Sequence, residues 1–437
     1  ENLRELGMDV TIVQRPKQLM NPFDADMASF IHNEMRKHGV KLALGHTVEG
    51  FEERDGGVDV LLKDEQPLHA DMVILAIGVS PETTLAKDAG LELGIKGSIV
   101  VNDRMETSIS DIYAVGDAIE YPHPLTGKPW LNYLANPANR QGRIVADNMA
   151  LGNTTSYEGA IGTSIAKVFD MTVATSGLPA KRLKQAGIDY LSATIHSGSH
   201  AGYYPDALQM SIKITFSPAD GKLLGAQIVG YSGVDKRIDE FSQVIKHNGT
   251  VYDLMALEQA YAPPFSSAKD PVAVTGYVAG NILNGKMQPL YWRELQVADW
   301  SKVTLVDVRT PDEFALGALK GAVNIPLDDM RDRMKEIPRD KPVYLYCGVG
   351  LRGYLASNIL LQNGYKEVKN LIGGLKLYKA ATTPLPEPKE FSNYGSSSSD
   401  SSKVDHSEHS KDSAEAYTIA SSVIPSMRAI KVDACGI

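Results

Sequence analysis

The run YLYCGVGLRGYLASNILL, residues 344–361, joins a cysteine to a glycine-rich turn and permits two kinds of chemistry. Three glycines spell G-x-G-x-x-G between a strand-like run and a helix-like run, which is the context of a dinucleotide-binding loop. Cys347 stands directly before these glycines, where a reactive sulfur would also be placed. The residues that follow indicate whether this loop binds a cofactor's pyrophosphate or surrounds a reactive sulfur.

The dinucleotide interpretation fails at the next strand. It needs an acidic residue about 20 positions downstream to bind the ribose hydroxyls. The strand in EVKNLIGG ends instead in Ile372 and two glycines. If Cys347 ends a strand, the loop C-G-V-G-L-R turns around it into a helix that we expect to begin near Gly353. Backbone amides and the helix dipole would then converge on the sulfur and favour its thiolate.

The position of an arginine narrows the chemistry further. Arg352 closes the loop one residue earlier than the arginine of tyrosine phosphatases, a spacing that suits a persulfide rather than a larger phosphate. With LVDVRTPDEF, GALKGAVNIP and IGGLKLY around it, the segment resembles the rhodanese family. Ala318 and Tyr378 depart from the residues common in that family, but neither position carries the sulfur. The resemblance implies a persulfide on Cys347, and the alternative is a buried structural cysteine.

A second set of motifs lies earlier in the chain. TSISDIYAVGDA couples a short buried strand to Gly116 and Asp117, and NPANRQGR follows with Asn136 as the expected N-cap and Pro137 at the first helical position. These motifs resemble the flavin-binding half of the pyridine nucleotide-disulfide oxidoreductases. The resemblance implies FAD as cofactor, with Asp117 bound to a ribityl hydroxyl and Gly116, Ala135 and Pro137 beside the flavin.

Three further segments resemble the dimerisation domain of the coenzyme A-disulfide reductase branch, which is fused to rhodanese in some members: GTSIAKVFDMTVATSGL, HAGYYPDA and YAPPFSSAKDP. The resemblance implies a homodimer acting on coenzyme A disulfide or persulfide. It also implies that Tyr203 and Tyr261 reach toward the reactive cysteine of the other subunit, where a buried phenol would donate a proton to a leaving thiolate. The alternative is that both tyrosines only pack locally.

The sequence leaves open whether the nicotinamide cofactor is NADH or NADPH. Residues 1–81 read as a Rossmann-like half in which a buried strand, DMVILAIG, ends at Gly78. Gln14 ends the strand VTIVQ where an acidic residue would favour NADH, and the basic residues Arg15 and Lys17 would tolerate the 2'-phosphate of NADPH. Solvated basic residues with no such role are the alternative, so NADH and NADPH both stay open.

Composition excludes several classes of protein. The 437 residues carry a net charge of -9 with no basic arm, which argues against nucleic acid and anionic membranes as partners. The longest apolar runs fall far short of the roughly 20 residues that span a bilayer. Two cysteines, Cys347 and Cys435, exclude a disulfide framework and a zinc cluster and fit a reducing cytoplasm.

The predicted fold class is α/β, with several regions along the chain. They are a partial NAD(P)-binding region (1–81), a returning segment of an FAD-binding domain (82–155), an α+β dimerisation domain (156–285), a rhodanese-like α/β domain (290–385), a Ser-rich linker (386–425) and the start of a sulfur-carrier-like domain of the TusA type (426–437). The flavin glycine loop, the redox cysteine and the nicotinamide loop of the family are expected before Glu1. We therefore expect a fragment that does not complete a reductase turnover.

The leading hypothesis is an FAD-dependent NAD(P)H reductase of coenzyme A disulfide, coenzyme A persulfide or polysulfide. Its rhodanese region would relay sulfur from a sulfane sulfur donor through Cys347. The alternative is a sulfur-relay protein in which the flavin-type fold serves only for dimerisation. A bound flavin that NADH bleaches would favour the first hypothesis.

The sulfur hypothesis predicts a covalent adduct on one cysteine. After treatment with thiosulfate, mass spectrometry is expected to find about 32 Da, one sulfur atom, added to Cys347 as a persulfide. Cys347→Ser is expected to abolish the adduct. A mass gain on Cys435 alone, or on neither cysteine, would mean that the loop has only a structural role.

Overall fold

The computed structural model describes residues 1–384. The predicted linker at 386–425, the predicted carrier-like segment at 426–437 and Cys435 lie outside the described residues. No helix among the described residues is long and apolar enough to cross a lipid bilayer. The predicted α/β class is confirmed by a mixture of helices with parallel and antiparallel sheets.

Residues 1–70 form a small two-stranded parallel sheet, a helix packed on it and a three-stranded antiparallel meander. In α2, apolar side chains recur on one face, and Met27, Ala28 and Ile31 are fully buried there. The elements are α1 (Asn2–Glu5), β1 (Thr11–Gln14), α2 (Ala25–Lys37), β2 (Lys41–Leu44), β3 (Val48–Arg54), β4 (Gly57–Leu62) and β5 (Leu68–Ala70).

The next region contains short strands and one long helix. Its elements are α3 (Thr84–Asp88), β6 (Ile99–Val100), β7 (Ile119–Pro122), β8 (Pro129–Trp130) and α4 (Ala135–Leu151), with 3-10 turns at Ile95–Gly97 and Gly116–Ala118. The strands β6, β7 and β8 form one small sheet in that order.

The predicted buried strand DMVILAIG is wrong. Residues 71–83 contain no helix or strand, and Ile77 is 90% exposed. A strand needs a neighbour for its backbone hydrogen bonds, and among residues 1–384 none pairs with this segment. High β-propensity alone does not make a strand without such a partner.

Two further local predictions need correction. The expected strand in DIYAVGDA is reduced to a single bridge between Tyr113 and Glu106, followed by the 3-10 turn. The helix that follows has Leu134 as its N-cap rather than Asn136, so Pro137 stands at the third helical position. Proline is tolerated there because the first-turn amides have no intrahelical acceptor.

Residues 164–283 build an antiparallel sheet with order β11-β12-β13-β10-β9. Every residue of β13 is buried, because helices α2, α6 and α8 all pack on this sheet. The elements are β9 (Ser164–Val168), β10 (Met171–Gly177), α5 (Ala180–Ala186), β11 (Leu191–Gly198), β12 (Gln209–Phe216), β13 (Leu223–Gly230), α6 (Val234–Lys246), α7 (Val251–Ala256) and α8 (Pro271–Leu283).

Residues 288–382 form a parallel sheet with order β14-β18-β17-β15-β16. The carboxyl ends of β17 and β18 are neighbours, which brings the loops after these two strands together. The elements are β14 (Gln288–Leu290), α9 (Trp292–Gln296), β15 (Thr304–Asp307), α10 (Pro311–Ala315), β16 (Val323–Asn324), α11 (Met330–Arg333), β17 (Val343–Tyr346), α12 (Leu351–Gln362), β18 (Val368–Leu371) and α13 (Gly374–Thr382).

A buried charge cluster ties α2 to the antiparallel sheet. Lys213 on β12 lies 2.8 Å from both carboxylate oxygens of Asp26 and 3.1 Å from Asp24, and all three side chains are buried. The side-chain amide of Gln227 also donates to Asp24 at 2.8 Å. Burial alone would raise the pKa of the Asp24 carboxyl, but Lys213 and Gln227 hold it below its usual value.

The charge cluster predicts a large cost for removing its cation. Lys213→Met leaves two buried carboxylates unpaired, so the free energy of unfolding is expected to fall by about 3–5 kcal/mol. Urea unfolding at neutral pH measures this loss as a lower urea concentration at the midpoint of unfolding. Because the pKa of Asp24 is depressed in the folded state, its contribution is present above about pH 4 and is lost as the pH falls through the lower folded value.

Lys167→Met is the matched control, since Lys167 lies on β9 of the same sheet but is exposed. It is expected to change the midpoint little. Equal losses in the two variants would contradict a stabilising role for the buried cluster.

Candidate active site

Cys347 follows the central strand β17 and is fully buried. The strand forms because Val343, Leu345 and Tyr346 are apolar and buried between the helices that flank a parallel sheet. The carboxyl end of such a strand is where α/β proteins place reactive groups. The predicted position of Cys347 at a strand end is therefore found in the structure.

The loop after Cys347 turns back so that one of its amides meets the sulfur. Gly350 has φ of 110°, which favours glycine, and its N–H donates to Cys347 Sγ at 3.1 Å. Gly350 is also the N-cap of α12, which starts at Leu351, two residues before the expected Gly353. An amide donor and a helix amino terminus both stabilise negative charge on the sulfur.

Arg352 is held by a carboxylate that the sequence analysis did not identify. Its guanidinium donates to both oxygens of Glu313 at 2.6 and 2.7 Å. The hydrogen bond from Arg352 lowers the pKa of Glu313 to about 2, and Glu313 together with Cys347 raises the pKa of Arg352. Arg352 is therefore charged and oriented beside the sulfur loop.

Glu313 has a second, local function that was visible in the sequence. It is the third helical residue of α10 and forms a capping box with Thr310, whose N–H donates to Glu313 at 3.0 Å. The T-x-x-E pattern in TPDEF signals that capping box. Its bidentate pairing with Arg352 is a tertiary contact that the pattern does not encode.

A buried ion pair lies at the end of β15, the strand next to β17. Asp307 and Arg309 lie at the end of β15, and Arg309 donates to Asp307 at 2.6 Å and to the Gly317 carbonyl at 2.9 Å. Both side chains are buried, and the guanidinium lies 5.8 Å from the centre of the Tyr346 ring. The LVDVR motif therefore fixes the end of β15 and contacts Tyr346, the residue before Cys347.

Two glycines bring the loop after β18 onto the cysteine loop. Gly373 and Gly374 have φ of 70° and 57°, and a Cβ at Gly374 would stand 2.6 Å from the Cys347 carbonyl oxygen. The next two amides, of Leu375 and Lys376, donate to the carbonyls of Cys347 and Gly348 at 2.8 and 3.0 Å. The IGGLKLY segment thus clamps the backbone that carries the sulfur.

The structure brings the two predicted tyrosines together. The hydroxyl oxygens of Tyr203 and Tyr261 are 2.9 Å apart, and this bond raises the pKa of Tyr261. Within the chain both rings are exposed, by 76% and 49%, so the expected buried phenol is not seen. Their role toward a thiol substrate stays a prediction.

The predicted flavin residues lie around the start of α4. Gly116 has φ of 84° and lies next to the first turn of the helix, with its N–H donating to Gln141 at 2.8 Å. Asp117 is exposed, and so is Ala135 at the first helical position. No side chain within residues 1–384 caps this helix, so its first-turn amides are open to an acceptor. A free carboxylate beside open amides fits the polar groups of a flavin.

The predicted nicotinamide residues lie in another part of the structure. Gln14 ends β1, and its carbonyl accepts the amides of Gly45 and His46. Gly78 lies on the exposed segment 71–83 with φ of 101°. Among the described residues, no hydrogen bond or ion pair joins these two residues, the tyrosine pair, the α4 site and the cysteine loop to one another.

Comparison with known proteins gives matches along the described chain. Residues 1–142 match the family of pyridine nucleotide-disulphide oxidoreductases, and residues 163–272 match the dimerisation domain of that family. Residues 293–381 match the rhodanese-like domain. The coenzyme A disulfide reductase of Staphylococcus aureus strain JH9 is 34% identical over 279 residues, which cover 64% of this chain and 62% of that protein. The chain thus spans less than two thirds of that relative.

Two solved structures cover more of the chain. The reduced CoADR-RHD of Bacillus anthracis is 48% identical, with a TM-score of 0.84 over 87% of this chain and 68% of that one. The NAD-dependent persulfide reductase of A. fulgidus is 35% identical, with a TM-score of 0.80 over 86% of this chain and 69% of that one. Both resemble this chain in sequence and in fold.

The Arg352–Glu313 geometry predicts slower sulfur loading when the guanidinium is removed. Arg352→Ala is expected to slow persulfide formation on Cys347 by about tenfold, since a charge-assisted donor is typically worth 1.5–3 kcal/mol and this one is partly exposed. Arg352→Lys is expected to recover part of the rate, because it keeps the charge but loses the bidentate geometry. The rate of mass gain after thiosulfate treatment measures both.

Arg333→Ala serves as the control, because Arg333 also makes a bidentate pair, with Glu336, on the surface of the same region. It is expected to leave the loading rate unchanged. A similar slowing in Arg333→Ala and Arg352→Ala would mean that loading depends on general stability.

Proposed function

This chain belongs to the pyridine nucleotide-disulphide oxidoreductase family and carries a rhodanese-like domain, and from that premise we propose an FAD-dependent NAD(P)H:disulfide or persulfide oxidoreductase with a sulfurtransferase site. The observation that carries the sulfurtransferase part is the Gly350 amide on Cys347 Sγ beside the oriented Arg352. The reductase part is supported by the similarity to a coenzyme A disulfide reductase and a persulfide reductase.

The sulfurtransferase step is redox-neutral. With thiosulfate as donor, the Cys347 thiolate attacks the outer sulfur, the bond between the two donor sulfurs breaks, and sulfite leaves with the electron pair. Cys347 is left as a persulfide. Before the transfer, the Gly350 amide and Arg352 stabilise the thiolate on Cys347. After it, the negative charge lies on the outer sulfur of the persulfide, where the cationic Arg352 favours it.

The reductase step requires two electrons from NAD(P)H. FAD, when bound, supplies a two-electron relay between the nicotinamide and a coenzyme A disulfide or persulfide. Asp117 and the open first turn of α4 are the residues of this chain that would hold its polar groups. Tyr203 and Tyr261 would donate a proton to the leaving thiolate of the coenzyme A substrate.

The assembly that we propose is a cytoplasmic homodimer. The match of residues 163–272 to a dimerisation domain supports the dimer. The exposed tyrosine pair supports it as well, since both phenols are free to meet a partner subunit. We leave the nicotinamide as NADH or NADPH, because Gln14 and its basic neighbours fit either.

The test is an assay of the complete gene product. Loss of nicotinamide absorbance on adding coenzyme A disulfide or coenzyme A persulfide is the expected result, with the yellow flavin bleached by NADH or NADPH. A protein that loads sulfur on Cys347 but holds no reducible flavin would instead be a sulfur relay, and the reductase proposal would fail.

The tyrosine pair predicts a specific defect in that assay. Tyr203→Phe combined with Tyr261→Phe is expected to lower kcat for disulfide or persulfide reduction by about 100-fold, the lower end of what a positioned acid contributes. The flavin content is expected to stay unchanged. Tyr204→Phe is the matched control, since Tyr204 is the exposed neighbour of Tyr203 and its hydroxyl makes no hydrogen bond within the described chain. Unchanged turnover in the double variant would remove the pair from the mechanism.

A further inference from the structure

A histidine of the antiparallel sheet contacts the loop that clamps the sulfur site. His196 lies on β11, and its Nε2 is 3.0 Å from the carbonyl oxygen of Gly373. Because a carbonyl only accepts, Nε2 carries the proton, and Nδ1 then accepts from the Ser211 hydroxyl at 2.8 Å. Phe30 of α2 also meets the ring edge-on, with centroids 5.9 Å apart. Three regions of the chain therefore meet at this imidazole.

His196 is suited to a fixed role rather than a titrating one. Burial lowers the pKa of its imidazole to about 3, and the nearby Lys376 acts in the same direction. The ring is therefore neutral at physiological pH, with one donor and one acceptor, and both are used. Its hydrogen bonds persist over the pH range in which a thiolate does chemistry.

The bonded carbonyl belongs to the turn that holds the cysteine loop. Gly374 directly follows Gly373 and leaves no space for a side chain against the carbonyls of Cys347 and Gly348. The amides of Leu375 and Lys376 donate to those same two carbonyls. The Gly373 carbonyl also accepts the amide of Leu377 at 3.2 Å, so it connects the imidazole of His196 to the first turn of α13 and to the backbone that positions the sulfur.

We propose that His196 is a positioning residue for sulfur transfer at Cys347. From the antiparallel sheet, it holds the Gly373 carbonyl and with it the turn at 373–376 against the sulfur loop. The sulfur site is thereby completed by a residue outside the rhodanese-like domain. This inference rests on the proposed sulfurtransferase function.

The experiment compares three variants of the 437-residue chain, with thiosulfate as the sulfur donor. His196→Ala removes the bond to Gly373, and His196→Gln keeps an amide donor that can replace it. Tyr291→Phe is the matched control, because the Tyr291 hydroxyl joins the same strand β11 through the backbone of Ser192, at 3.3 and 3.2 Å. Among the described residues this hydroxyl makes no hydrogen bond to the turn at 373–376. The rate of mass gain on Cys347 is measured against thiosulfate concentration, and melting temperature is measured alongside.

A positioning role predicts a change in rate at saturating donor. His196→Ala is expected to lower the limiting rate about three- to tenfold, the equivalent of one net hydrogen bond, with the half-saturating concentration unchanged. His196→Gln is expected to return the rate to within about twofold of the parent. Tyr291→Phe is expected to lower the melting temperature as much as His196→Ala but to leave the rate unchanged.

Two results would overturn the inference. One is a parental rate in His196→Ala, and the other is an equal slowing in Tyr291→Phe. If His196→Ala does not fold, His196→Phe takes its place, since it fills the space of the ring but has no donor for the Gly373 carbonyl, and a parental rate in that variant also overturns the inference. A parent chain that takes no sulfur on Cys347 contradicts the proposed sulfurtransferase itself, so the two failures are distinguishable.

Discussion

The close approach of two loop backbones is the constraint on which the sulfur site depends. A side chain at Gly374 would overlap the Cys347 carbonyl, so the turn after β18 must be glycine, and its left-handed conformation directs two amides at the cysteine loop. Adjacent parallel strands put the two loops at one sheet edge. The glycines then allow them to touch, and these backbone contacts help to fix the position of the buried sulfur.

The same loop region also contacts other parts of the described chain. Ile372, next to Gly373, belongs to the apolar core of the antiparallel sheet, and Tyr291 bonds to β11 of that sheet. Lys213, on β12 of that sheet, binds the two aspartates at the start of α2. Apolar and polar contacts therefore join three regions that match three different domains.

Sequence patterns predicted those parts of the site whose residues are close together in the chain. Cys347 and Arg352 lie on either side of one short turn, so their spacing in the sequence encodes their relation directly. Tyr203 and Tyr261 are 58 residues apart, and only a family resemblance paired them. Glu313 lies 39 residues from Arg352, and His196 lies 177 residues from Gly373, so no local pattern could connect either pair. The apolar run DMVILAIG was wrongly predicted as a strand because propensity does not reveal whether a hydrogen-bonding neighbour exists.

The exposed segment 71–83 also affects how readily a protease cleaves the chain. Within the described part of the chain this stretch has no ladder hydrogen bonds and exposes apolar side chains such as Ile77, and a stretch of this kind is what a protease binds in its cleft. A cut there would not release residues 1–70, because α2 stays anchored through its buried apolar face and through the charges at Lys213. The chain would be nicked in covalent structure yet remain one particle, and denaturing electrophoresis would reveal the break.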